Sequence, residues 1–361
     1  MALPTFRFRD TTTLLQQWGR DMPRQLGYEE TNARENFTNW QRKARRKLKE
    51  LLGFWPMQTD PQPHQAWQLA HEEADGYTRE EYAVQSPFGD HLFLYRLLPD
   101  SDPRAVMLAL HGHGFYGADP VAGVMKGRYN EDASLHTCNY DYGAEFARRG
   151  YIVYALCQRG FGQRCDVDNP ATGADYDPRT NPIPPPGSSC LDINSRAILL
   201  GTTDMALRLQ DAMHVIDWIH STPAEKAMPL GCVGLSGGGH TTELLAALDT
   251  RIHAASIQGY FCYWVDQIMD VTHCNCNYVP GLLRWFEQDD ICGLICPRPL
   301  LVSTADKDGV APLKSFRKAF KSLKQIYRDQ GVEGNLEQDV FEGGHEFTGR
   351  KVFNFFAKHL G

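Results

Sequence analysis

Long apolar runs are missing from this sequence. No stretch reaches the roughly 18 uninterrupted apolar residues that a membrane span needs, so a transmembrane helix is excluded. Residues 1–10 mix charged and aromatic side chains, without the apolar stretch and small-residue cleavage site of a secretory signal. Excess charge of one sign is also scarce: 37 Lys and Arg stand against 44 Asp and Glu, interspersed, for a net charge of -7. The one dense basic run, 42–49, alternates with Leu at helical spacing and reads as the solvated face of a helix, which argues against nucleic-acid binding. A complete CxxC pair is missing too. Ten cysteines in 361 residues, with no signal, read as reduced core and pocket residues in a cytoplasmic protein.

What is present is an ordinary globular balance, 42% apolar and 22% charged, enough for one large domain with an elaborated rim or two modest ones. Residues 1–60 form an expected helical extension in which Trp40, Ala44, Leu48, Leu51 and Leu52 share one face. That face could cover the domain's own surface or pair with a second copy, so a homo-oligomer through these helices stays open. Pro, Gln and Asp crowd residues 56–63 and mark a seam before the main domain, 61–361. A hairpin is expected at 82–84 and 91–98, around Ser86-Pro87-Phe88-Gly89-Asp90.

Beyond it, apolar runs at 104–110, 151–156, 230–235, 254–258, 300–303 and 337–341 alternate with helical patterns at 142–149, 199–220, 237–249, 313–329 and 350–359. That order predicts an α/β architecture, a mostly parallel central sheet flanked by helices. Two insertions break the rhythm, at 160–190 and 260–297, and both are expected at the rim of a site.

The sharpest local signal is Gly234-Leu235-Ser236-Gly237-Gly238, between an apolar strand and a helix-forming run. A serine between small residues on a strained strand-to-helix turn is a nucleophile elbow, with the helix dipole aimed at the site. The hydroxyl needs a base to take its proton. His345 follows the last strand after Gly343 and Gly344 and is the candidate. The acid that orients it is expected in the loop after strand 300–303, where Asp306 and Asp308 compete. Gly309 and Pro312 place Asp308 at the tip of a turn into the next helix, with Lys307 facing solvent, so Asp308 is favoured.

Charge on a carbonyl oxygen would be met by the N–H of Gly237 and by a second N–H from the loop His111-Gly112-His113-Gly114, assigned to His113. His111 and His113 lack a third ligand for a metal. His273-Cys274-Asn275-Cys276 reads as a structural turn at the pocket wall, its thiols acting as small apolar groups. No metal or cofactor is expected. Phe115, Tyr116, Tyr260, Phe261 and Trp264 follow catalytic strands and are the candidate walls of a pocket for a small-molecule ester.

The run Gly234–Gly239 with His240, the segment from His273 to Gly281, and Pro297-Arg298-Pro299-Leu300-Leu301 resemble the bacterial α/β-hydrolases of the acetyl xylan esterase-like and dienelactone hydrolase-like group. The likeness runs from about residue 35 to the end and includes Arg159-Gly160-Phe161-Gly162. It implies the α/β-hydrolase fold, an ester with a short acyl group, and a core role for the stretch before Cys274. In that group the acid sits four residues before a proline, as Asp308 does before Pro312. Dienelactone hydrolases use a cysteine nucleophile, so Ser236 points to an esterase instead. An amidase or peptidase on the same scaffold, or a silent binding module, are the alternatives.

Overall fold

Residues buried on both faces of a strand can only sit in the middle of a layered structure, and the described residues include five such runs. The computed structural model describes residues 10–55, 65–124, 138–166, 188–271 and 273–361, so the seam at 56–63 and most of the first insertion lie outside the described residues. Three strands, β1 (Ala66–Ala74), β2 (Tyr77–Gln85) and β3 (His91–Pro99), form an antiparallel meander. Then come β4 (Ala105–Leu110), β5 (Tyr151–Leu156), β6 (Leu230–Leu235), β7 (Ala254–Gln258) and β8 (Leu300–Ala305), every residue of which is buried, and β9 (Leu336–Phe341) at the far edge. The sheet order is β1-β2-β3-β5-β4-β6-β7-β8-β9, with all pairs from β5 to β9 parallel.

The chain moves outward one way from β4 to β5 and the other way from β4 to β6. A crevice therefore opens above the carboxyl ends of β4 and β6, the switch point at which open α/β sheets place their ligands. This is the mostly parallel, helix-flanked sheet expected from the alternating pattern, in the α/β-hydrolase arrangement that the resemblance implies.

Helices cover both faces: α1 (Thr11–Asp21), α2 (Phe37–Leu52), α3 (Tyr142–Arg148), α4 (Cys190–Leu199), α5 (Asp204–Ile219), α6 (Gly237–Leu248), α7 (Leu313–Asp329) and α8 (Gly349–Leu360). The helix expected at 199–220 begins later, at Asp204, because the Thr203 hydroxyl caps it by accepting the Ala206 N–H at 3.0 Å, and the helix before it, Cys190–Leu199, was not expected. Strand β1 was not expected. Its side chains between the two ends are all exposed, so it shows no buried face to read.

Helix α2 turns its apolar face onto its own chain. Trp40, Ala44, Leu48 and Leu52 join the largest core cluster, and the Gln41 amide donates to the carbonyls of Leu294 and Cys296 at 3.1 and 2.7 Å. Among the described residues no helix is long and apolar enough to cross a membrane.

Candidate active site

Ser236 sits where β6 ends and α6 begins, at φ 57° and ψ -123°, a conformation that a non-glycine residue adopts only when its surroundings impose it. The surroundings do so through backbone contact. The Ser236 N–H donates to the Gln258 carbonyl at 2.9 Å, and a Cβ on Gly238 would stand 1.9 Å from the Leu110 carbonyl oxygen. Glycine there lets α6 press against β4 and forces the turn at Ser236 outward.

The expected acid and base come from the two strands beyond β7. Asp308 follows β8 and His345 follows β9, and these strands pair in register, Ala305 opposite Phe341. The His345 Nδ1 lies 3.1 Å from both oxygens of the buried Asp308 carboxylate. Asp308 is held in turn by the N–H groups of Val310 and Ala311, at 2.8 and 3.1 Å. Asp306 is exposed and accepts the Gly343 N–H at 3.0 Å, so it braces the loop that carries His345 and does not touch the imidazole. Lys307 points to solvent. The His345 Nε2 is buried and has no hydrogen-bond partner among the described residues.

Room for that imidazole comes from Gly259, at φ 59°: a Cβ there would stand 3.1 Å from the His345 ring and 3.3 Å from Asp308. The same turn sends the following residues downward. Tyr260 and Phe261 are therefore core residues and not pocket walls. The Tyr260 ring stacks on His240 at 4.6 Å, and Phe261 meets Phe316 edge-on. Trp264 is buried as well, and lines a separate apolar groove of about 390 Å³ beside α1.

The candidate cleft is another cavity, of about 420 Å³, within the range of small-ligand sites. Phe115 and Tyr116 line it, as expected, together with His345, Gly112, Tyr140 and Phe161. Tyr140 was not expected. A Cβ on Gly112 would be 2.7 Å from the Tyr140 hydroxyl and 3.1 Å from the Ser236 Cβ, so both residues close on Gly112. Burial pushes the acidity of the Tyr140 hydroxyl well down, which keeps it a neutral donor. No spacing in the sequence links residue 140 to residue 236.

The loop after β4 is fixed by a buried network. The His111 Nδ1–H donates to the Gly112 carbonyl at 2.7 Å, and Nε2 accepts the Gln158 N–H at 2.8 Å. Burial lowers the His111 pKa to about 3, so this ring stays neutral. Thr241 on α6 donates to the Gln158 side chain at 2.6 Å, tying the loop to the helix that follows Ser236. The His113 backbone N lies 3.5 Å, and its Nδ1 2.7 Å, from where a Cβ on Gly237 would be, so the two expected oxyanion donors adjoin and residue 237 has no space for a side chain.

The expectation that His113 lacks further ligands does not hold. Its Nε2 lies 3.0 Å from the Cys276 Sγ, and Cys190 and Cys274 complete a cluster whose donor atoms are all within 4.8 Å of one another. The missing partner, Cys190, is far away in sequence. His273 stays outside this group; its pKa is lowered by burial and by the nearby His113 and His345.

The chain and its fold have counterparts among known proteins. The chain is 25% identical over 302 residues to "Putative hydrolase YtaP" of Bacillus subtilis (strain 168), covering 80% of this chain and 88% of that one. Its fold is similar to that of a "putative acetyl xylan esterase" of Bacteroides fragilis NCTC 9343, with a TM-score of 0.70 at 16% identity over 93% of this chain and 83% of the other. It is also similar to a glucuronoyl esterase of Solibacter usitatus, with a TM-score of 0.59 at 14% identity over 90% and 94% of the two chains. The sequence profile of the Abhydrolase family matches residues 5–322, and the chain belongs to that family.

Proposed function

We propose that this chain is a serine carboxylesterase acting on short-chain, acetyl-type esters of sugars or other small alcohols. The observation that carries this reading is the constrained Ser236 at the switch point, beside a cleft lined by His345 whose Nδ1 is held by Asp308. In the proposed reaction His345 takes the Ser236 proton as the oxygen attacks the ester carbonyl, and Asp308 stabilises the imidazolium. The N–H groups of Gly237 and His113 receive the developing oxyanion. The imidazolium then protonates the leaving alcohol, and water activated by the same imidazole releases the acid from Ser236.

Support for a small acyl group comes from the size of the cleft and from Phe115, Tyr116 and Phe161 in its wall. Support for a sugar alcohol comes from the structural neighbours, which include acetyl xylan and glucuronoyl esterases. The test is a series of p-nitrophenyl esters from acetate to decanoate, run beside acetylated sugars and a fluorophosphonate label. Labelling at Ser236 and turnover of acetate and butyrate above decanoate are expected. Absence of labelling, or a profile peaking at long acyl chains, overturns the reading.

A further inference from the structure

We infer that His113, Cys190, Cys274 and Cys276 form a structural zinc site at the lip of the cleft. The four residues come from three separate places: the loop after β4, the first residue of α4, and the turn Asn275–Asn277, which Cys274 precedes and Cys276 occupies. Their donor atoms all lie within 4.8 Å of one another, with His113 Nε2 3.0 Å from Cys276 Sγ and the sulfurs of Cys190 and Cys274 3.2 Å apart. Zinc with Zn–S bonds of about 2.3 Å holds tetrahedral ligand atoms about 3.8 Å apart, in the middle of that span.

Apolar packing explains buried thiols, but not their convergence on one imidazole nitrogen. Cys190 and Cys276 are buried against Phe161, and Cys274 packs on that small cluster. The Phe161 ring also meets His113 edge-on at 5.1 Å, which fixes the imidazole with Nε2 toward the sulfurs. Donors surround the thiols as they do in thiolate sites: Ser188 Oγ lies 2.9 Å from Cys190 Sγ, and Asn277 Nδ2 lies 3.7 Å from Cys276 Sγ. Three thiolates and one imidazole on Zn²⁺ carry a net charge of -1. The buried Arg208, which also pairs with Asp204, lies within electrostatic reach of Cys190 and Cys276.

Three soft sulfurs and one imidazole select zinc over hard cations. Four protein ligands leave no open position, so this is a staple and not a Lewis acid for the ester. On binding, three Zn–S bonds and one Zn–N bond form, and the three thiol protons pass to solvent. The staple joins both rim insertions to the loop that bears the His113 N–H, the same amide proposed above as an oxyanion donor.

The test uses the full chain, purified reduced and without chelator, and reads metal content by mass spectrometry. One zinc per chain is expected, and replacement by cobalt(II) should give the intense visible bands of a tetrahedral site with thiolate-to-metal charge transfer. Cys274→Ser, at the half-buried ligand, should keep its circular dichroism and lose at least 10-fold in zinc affinity. Ser236→Ala should bind the same zinc, which separates this inference from the esterase reading. Substoichiometric zinc after reconstitution, an octahedral cobalt spectrum, or a Cys190–Cys274 disulfide in the reduced preparation would each overturn it.

Discussion

The cleft has two walls built on different plans. On the base wall, Asp308 and His345 hang from adjacent strands by loops of a few residues, and the hydrogen bonds that orient them come from residues two to three positions away or from the imidazole itself. On the rim wall, His113 meets a cysteine 163 residues later, and that cysteine's neighbour Cys274 meets Cys190 across 84 residues. Local geometry holds the first wall. Long loops must be anchored to hold the second, and they carry a donor set that a metal could close.

If that contrast is right, damage to the base wall should strike chemistry, and damage to the rim should strike binding. Ser236→Ala, between the walls, should lower kcat by up to the order of 10⁶-fold with zinc content and circular dichroism unchanged. Activity above a few per cent of wild type would point to another nucleophile.

Within the base wall the two aspartates should part widely. Asp308→Asn is expected to reduce kcat by about 10⁴-fold, since the imidazole loses its orienting partner. Asp306→Asn touches only the Gly343 N–H and should stay within roughly tenfold of wild type. Steady-state kinetics on p-nitrophenyl acetate decide it, and the reverse ranking would move the acid to Asp306.

On the rim, Phe115 lines the cleft but is 55% exposed. Phe115→Ala should raise KM roughly 3- to 10-fold and leave kcat nearly unchanged, the signature of a wall that binds substrate and transition state alike. A fall in kcat with KM constant would erase the distinction between the walls.

The smallest catalytic effect is expected beneath both walls, at Glu243 on α6. It is fully buried, neither carboxylate oxygen has a hydrogen-bond partner among the described residues, and burial raises its pKa well above the usual 4.5. A raised carboxyl pKa means the folded state binds the proton more tightly than the unfolded one. Stability is therefore lost as pH rises from about 4.5 toward the folded value, by about 1.4 kcal/mol per pH unit. Glu243→Gln removes that dependence, so chemical denaturation should show the variant gaining on wild type from pH 5 to pH 8, at near-constant kcat. Parallel curves would show that Glu243 is ionised in the fold.

Much of the base wall was legible before any coordinates. Asp308 and His345 each follow an apolar strand, and a strand end next to a turn is a local feature that composition marks. The rim was half legible. Phe115 and Tyr116 fall where expected, whereas Tyr260, Phe261 and Trp264 were misplaced, because an aromatic residue after a strand looks the same whether the chain then turns up or down. Gly259 makes that turn at a φ of 59°, where a side chain would also crowd His345 and Asp308.

The sequence by itself determined the alternation of strands and helices from β4 onward and the strand-to-helix turn at Ser236, and it marked the loops that carry Asp308 and His345. Each rests on periodicity or on glycine spacing within about ten residues, where backbone sterics dominate. Only the tertiary structure decided that Tyr140 and Ser236 both close on Gly112, that α2 packs on its own chain, and that Cys190 joins His113, Cys274 and Cys276. Those contacts join segments whose separation along the chain carries no pattern, and they form only when the sheet has fixed where each loop begins and ends.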